Sequence, residues 1–222
     1  MRFATRAVHA GLEPEPTYGG VVPPIHQATT YVQSGPGEFV ENFDYSRSAN
    51  PTRAALERAL GELEGGLASA FSSGMAATHA LLSAAGRAGA HVVLPNDLYG
   101  GTYRLVDKVL SRFGLAYDLV DQTDPANVVA ALRPETAVVW IETPTNPLLN
   151  VVDIAAVAAG VHAERPDVLV AVDNTFATPV VQRPLELGAD AVVHSTTKYL
   201  GGHSDVVGGA VIVRDEGLHE QV

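Results

Sequence analysis

Beyond about residue 50 the chain alternates between short apolar runs and longer segments with helical spacing. The runs near 91–94, 115–120, 136–141, 168–172, 190–194 and 208–213 read as strands. The segments near 52–63, 75–85, 101–112, 125–132 and 153–163 read as helices, the first ended by Gly65-Gly66. A run such as Val168-Leu169-Val170-Ala171-Val172 leaves no polar face, which marks a strand buried on both sides. Strand–helix alternation of this kind predicts an α/β fold with a mainly parallel sheet covered by helices on both faces. Residues 1–50 follow another pattern. They hold Gly19-Gly20, Pro23-Pro24 and Gly35-Pro36-Gly37 and have little helical period. They read as an irregular arm that drapes over a neighbouring subunit, leaving 51–222 as one large domain.

Composition narrows the function classes. A net charge of −11 argues against a nucleic-acid or anionic-membrane surface. There are no cysteines, hence no disulfide framework and no thiolate metal site. No apolar run near the amino terminus is long enough for a signal peptide or membrane span, so a soluble cytoplasmic protein is expected. Gly-x-Gly-x-x-Gly and the Walker lysine are both missing, and Gly202-His203-Ser204-Asp205-Val206 lacks the last glycine of a nucleophile elbow. His194 and His203 have no carboxylate at ligand spacing, so each reads as a satisfied histidine and no metal is expected.

The candidate chemistry lies at strand exits, where α/β proteins place their ligands. Lys198, one of two lysines, follows Ala191-Val192-Val193 within Ser195-Thr196-Thr197-Lys198-Tyr199. A free amine titrates near 10.4 and is a poor nucleophile at neutral pH; burial, or condensation with an aldehyde, would make it a covalent catalyst. A solvated surface lysine is the alternative. Asp173 ends the strand at 168–172; it either starts a loop or keeps an aromatic ring nitrogen protonated. Ser72-Ser73-Gly74-Met75 precedes an alanine-rich run and is either an ordinary helix cap or a helix amino terminus that binds an anion. Tyr99, before Gly100-Gly101, can lie flat on a planar ring or merely pack in a turn.

In order and spacing these segments resemble the Cys/Met-metabolism family of pyridoxal-phosphate enzymes, most of all its cystathionine γ-synthase branch and next its γ-lyase branch. The likeness runs from about Thr5 to the end of the chain. It implies a fold type I large domain binding pyridoxal 5′-phosphate, with Lys198 as the Schiff-base residue and Asp173 as partner of the ring nitrogen. By the same likeness Tyr99 stacks on the ring and takes part in catalysis. Ser73, Gly74 and Met75, with Ser195 and Thr197, cradle the phosphate. Asn146, in Thr143-Pro144-Thr145-Asn146-Pro147, contacts the ring's 3′ oxygen, and Thr175 joins the cofactor contacts. Phe43-Asp44-Tyr45-Ser46-Arg47 matches a motif whose tyrosine and arginine reach the phosphate of a neighbouring subunit. The implied protein is a homo-oligomer, a dimer of dimers with shared sites, acting on a small amino-acid substrate at the γ-carbon of homoserine esters or cystathionine. Gly101 stands where methionine γ-lyase-like members carry a cysteine, which counts against that branch. Family members continue past the position of Val222 into a smaller domain that grips the substrate carboxylate. That domain is expected to be absent, so cofactor binding is better supported than turnover, and a non-catalytic cofactor-binding remnant is the competing expectation.

Overall fold

The apolar runs of the second part of the sequence are the strands of one seven-stranded sheet. The computed structural model describes residues 1–222 and divides into two units, Met1–Leu63 and Glu64–Val222.

In the first unit, α1 (Phe3–His9) precedes a two-stranded hairpin, β1 (Gln33–Gly35) and β2 (Glu38–Phe39). Its last helix, α2 (Pro51–Glu64), places its final residue at the start of the second unit. Asn50 caps α2 by accepting the N–H groups of Thr52 (2.9 Å) and Arg53 (3.2 Å). The Arg53 guanidinium donates to the carbonyls of Ser46 (2.7 Å) and Ser48 (2.8 Å), which fixes the turn that carries Arg47. The reading of 1–50 as irregular throughout needs correction at α1. Its seven residues are too few to display a period, and it has no side-chain amino-terminal cap.

In the second unit the elements run β3 (Leu67–Phe71), α3 (Gly74–Ala85), β4 (His91–Pro95), α4 (Gly100–Lys108), β5 (Ala116–Val120) and α5 (Pro125–Ala130). They continue with β6 (Thr136–Glu142), α6 (Ile154–Glu164), β7 (Leu169–Asp173), α7 (Thr178–Val181), β8 (Ala191–His194), β9 (Gly209–Val213) and α8 (Glu216–Gln221). The strand order is β3-β9-β8-β7-β6-β4-β5. From β5 to β8 every pairing is parallel, and β9 runs antiparallel to both its neighbours. The expected α/β class with a mainly parallel sheet is thus observed. β3 is the strand that the apolar pattern missed. Its Leu-Ala-Ser-Ala-Phe sequence is poor in β-branched residues and lies half-buried at the sheet edge.

Side chains leave the strands alternately to two sides. Val92, Leu94, Val138, Trp140 and Val193 pack with Leu81 and Leu82 of α3 and Val106 of α4. Val93, Val139, Ile141, Val170 and Val172 pack on the opposite face with Val128 of α5 and Val157 and Val161 of α6. Each of α3, α5 and α6 begins with a side-chain cap, from Ser73, Asp124 and Asp153 respectively. The helix read over 101–112 stops at Lys108. A 3-10 turn over Leu110–Phe113 follows, and Gly114, at φ 89°, turns the chain back toward β5.

One polar cluster is sealed inside this unit. His194 Nε2 lies 2.6 Å from Glu64 Oε1, with the two side chains 0% and 1% exposed. Asn174 Nδ2 donates to the same Glu64 oxygen at 2.8 Å and to the Gln182 carbonyl at 3.1 Å. Gln182 Nε2 in turn donates to the Thr143 carbonyl at 2.9 Å. The cluster therefore joins the ends of β6, β7 and β8 to the residue that closes α2. The sequence reading of His194 as a satisfied histidine holds for one ring nitrogen only: Nε2 meets a partner 130 positions away, while Nδ1 is buried without one. Truncating it in His194→Ala leaves a buried carboxyl short of a donor. The expected cost is about 1–3 kcal/mol for a buried group left without its partner, read as a lower urea midpoint; an unchanged midpoint would show the contact to be unimportant.

Candidate active site

A cavity of about 370 Å³ opens at the carboxyl ends of β6, β7 and β8, lined there by Glu142, Asp173 and Val193. Its size is that of a small-ligand site. It gathers side chains from five separate stretches: Ser73–Thr78, Tyr99–Thr102, Glu142–Asn146, Asp173–Phe176 and Val193–Lys198.

At one end sits the start of α3. The Ser73 hydroxyl oxygen accepts the Ala76 N–H at 3.1 Å, so its own proton remains available to donate. The first backbone bond of the helix runs from Ala77 N–H to the Ser73 carbonyl at 3.1 Å, leaving the N–H groups of Gly74 and Met75 ahead of the ladder. Gly74 is required here, because a Cβ would stand 2.6 Å from Ser195 Cβ and 2.9 Å from its hydroxyl. Helix amino terminus and serine hydroxyls thus face one space, which is the donor set an anion needs. The Thr197 hydroxyl lies in the same cavity but is already engaged. It donates to the Gly208 carbonyl (3.2 Å) and accepts the Gly208 N–H (3.0 Å). Its single proton is already used, so it can serve a ligand only by giving up that bond.

Asp173 ends β7 and accepts the Thr175 N–H at 3.0 Å; Thr175 Oγ1 accepts the Ser195 N–H at 2.9 Å. These bonds fasten the aspartate loop to the lysine loop. Burial pushes the Asp173 carboxyl above its ordinary range, with the Thr175 contacts acting the other way. An acid so placed is a ready partner for a cationic ring nitrogen.

Tyr99 starts α4 at the cavity rim with 43% of its surface exposed. A Cβ at Gly101 would run into the Tyr99 ring and stand 2.9 Å from Met75 Sδ, so glycine at this position lets the ring lie where it does. Lys198 also lines the cavity, within a turn closed by Gly202 N–H to the Lys198 carbonyl at 2.8 Å. Of the two routes to a reactive amine considered from sequence, burial is not the one seen, since the Lys198 side chain is exposed; condensation with an aldehyde is the other. The second lysine, Lys108, lies in α4, 69% exposed and paired with Asp107 at 2.5 Å. Tyr45 and Arg47 belong to the first unit, where the guanidinium carbon lies 5.5 Å from the tyrosine ring centroid.

Sequence reasoning missed Glu142. It directly precedes the quoted Thr143-Pro144-Thr145-Asn146-Pro147 and ends an apolar strand, as Asp173 does; that parallel was the available signal. Glu142 is 5% exposed. Burial first, and the Asp173 charge second, push its carboxyl up to about 8.

The arrangement has close counterparts. The family described as Cys/Met metabolism PLP-dependent enzyme matches residues 4–222. A cystathionine gamma-synthase of Mycobacterium tuberculosis is 54% identical over 219 residues, covering 98% of this chain and 56% of the relative. A cystathionine beta-lyase of Lactococcus lactis subsp. cremoris is 50% identical, covering 98% of this chain and 57% of its own. The crystal structure of cystathionine gamma-lyase from Lactobacillus plantarum complexed with L-serine superposes with a TM-score of 0.95 at 46% identity, over 100% of this chain and 57% of that one. The chain thus spans just over half the length of the relatives it matches.

The Glu142 carboxyl carries a pH signature. Its raised affinity means that the folded state holds a proton which the unfolded state, at its ordinary 4.5, has released. Its contribution is complete below 4.5 and is lost as pH rises to about 8. The ligand-free protein is expected to melt at lower temperature across that rise, and Glu142→Gln to flatten the slope. An identical slope in the variant would remove Glu142 as the source.

Proposed function

The chain belongs to the Cys/Met-metabolism family of PLP-dependent enzymes, and from that membership we propose that its cavity holds pyridoxal 5′-phosphate for transsulfuration at the γ-carbon of homoserine esters or cystathionine. The observation that carries this reading is the meeting, in one cavity, of a helix amino terminus with hydroxyls, a buried aspartate, an aromatic ring and a lysine. The residues fit the group. An anion cradle at Ser73-Gly74-Met75 and Ser195 suits the phosphate, and Asp173 suits the ring nitrogen. We assign Tyr99 to the ring face, Asn146 to the 3′ oxygen, and Thr175 and Thr197 to the loops that hold the cofactor in place. When bound, the cofactor supplies an electron sink for bonds broken at the substrate's α-carbon. Lys198 is assigned to hold the cofactor through its aldehyde and afterwards to carry protons.

Synthase chemistry is the first reading, supported by the 54% identity to the mycobacterial synthase. A C–S lyase is the second, supported by the 50% identity to the lactococcal lyase. We further propose that the protein works in the cytoplasm as a homo-oligomer, a dimer of dimers, in which Tyr45 and Arg47 serve a neighbour's phosphate site. An arginine fork and a phenol are suited to that ligand. No helix is long and apolar enough to cross a membrane.

Incubation with pyridoxal phosphate, borohydride reduction and peptide mapping should place the label on Lys198. Label on Lys108, or none in folded protein, would overturn the assignment. The shared site can be tested by mixing Lys198→Ala and Arg47→Ala chains, each extended to the length of its relatives. Two sites per dimer, each built from both chains, leave one site intact in the heterodimer. Activity near half of wild type per heterodimer is expected, and none in a verified heterodimer would refute sharing.

A further inference from the structure

The two loops that flank the cavity beside Asp173 are laced together by buried acids. Glu142 Oε2 accepts the Tyr99 N–H at 2.9 Å, and Oε1 accepts the Asn146 N–H at 2.8 Å. One carboxyl thus spends one oxygen on each loop. Tyr99 and Asn146 both line the cavity. A second acid, Asp97, is 9% exposed on the loop after β4. Its Oδ2 accepts the Thr145 hydroxyl, the Leu148 N–H (3.2 Å) and Asn150 Nδ2 (3.3 Å). The loop after β6 is therefore held from two sides, by Glu142 behind Asn146 and by Asp97 beyond it.

We propose that Glu142 is a positioning residue for the cofactor ring: by accepting both backbone N–H groups it sets the placement of Tyr99 relative to Asn146, with Asp97 holding the far end of the same loop. The proposal rests on the reading of the cavity as a pyridoxal-phosphate site. Tyr99 is assigned to the face of the ring and Asn146 to its edge, so their mutual placement decides whether the ring is gripped in one orientation. Only a carboxylate suits the task. Glutamine has the same shape but one acceptor and one donor, so its amide can satisfy one N–H while presenting N–H to the other. Aspartate is one methylene shorter and cannot span both loops unchanged. The raised proton affinity of Glu142 has Asp173 as its second cause. A cationic ring nitrogen paired with Asp173 offsets that cause, so a loaded site favours the carboxylate form that both N–H groups require.

The test compares the wild-type chain with Glu142→Gln and Glu142→Asp. Amide hydrogen exchange at Tyr99 and Asn146 and visible-region circular dichroism are both followed after adding pyridoxal phosphate, the condition that favours the carboxylate form. In each variant at least one of the two amides should exchange about 5- to 10-fold faster, the effect of losing one net hydrogen bond. The visible dichroism per bound cofactor should fall at least about two-fold, because a loosely held ring loses its fixed asymmetric surroundings. A wild type that develops no visible band would overturn the cofactor reading. A wild type with the band, beside folded variants that match it in both measurements, would overturn the positioning role alone. Unfolding of both variants would do so too, making Glu142 a structural acid only.

Discussion

The register of the parallel ladder governs the geometry of the site. Glu142 pairs with Asp173 across β6 and β7, and Asp173 pairs with Val193 across β7 and β8. In-register parallel neighbours point to the same side, so both carboxyls emerge on the face covered by α3 and α4. Ser195, two positions past Val193, continues the same alternation. A slip of one residue would turn Asp173 toward α5 and α6 and leave the start of α3 facing apolar carbon. The apolar runs therefore do more than fill a core. Their packing on both faces fixes where each strand stops, and the chemistry begins at those stops.

The same construction explains what could be read in the sequence. Strands buried on both sides are runs of valine and isoleucine, visible without any partner in view. Residues just past such runs, among them Asp173, Asn146 and Ser195, can be placed at one sheet edge for that reason. Glu142 escaped because it looks like the polar end of a strand, and its two hydrogen bonds go to backbone groups that leave no mark on residue identity. The β3 strand escaped because alanine and serine in an edge position carry little strand signal. The occupied hydroxyl of Thr197 depends on the path of Gly208, and the exposure of Lys198 on what surrounds its turn. Neither is local. The Glu64–His194 pair is the extreme case, since nothing in the spacing of two residues so far apart brings them together.

Electrostatically the cavity sets two buried acids, Glu142 and Asp173, beside one lysine, Lys198. Glu142 and Asp173 are both held above their ordinary proton affinities, chiefly by burial, and the Asp173 charge adds to the shift at Glu142. On the proposed reading, a ligand that brings phosphate to the α3 end and positive charge to the Asp173 end offsets part of the burial cost of these acids. Binding of that kind stabilises the folded chain by mass action and by removing like-charge repulsion, so stability and loading are linked.

The Glu64–His194 contact also dictates an order of events. Glu64 is made early and His194 130 residues later. On a ribosome the glutamate therefore waits, hydrated and unpartnered, while β3 through β7 are synthesised. The closure entropy of so long a loop must be met before the contact repays it. The lysine loop follows directly on His194, so it gains its anchor only when β8 docks. The Lys198 turn is thus tied down only after α3 and the Asp173 strand have been synthesised.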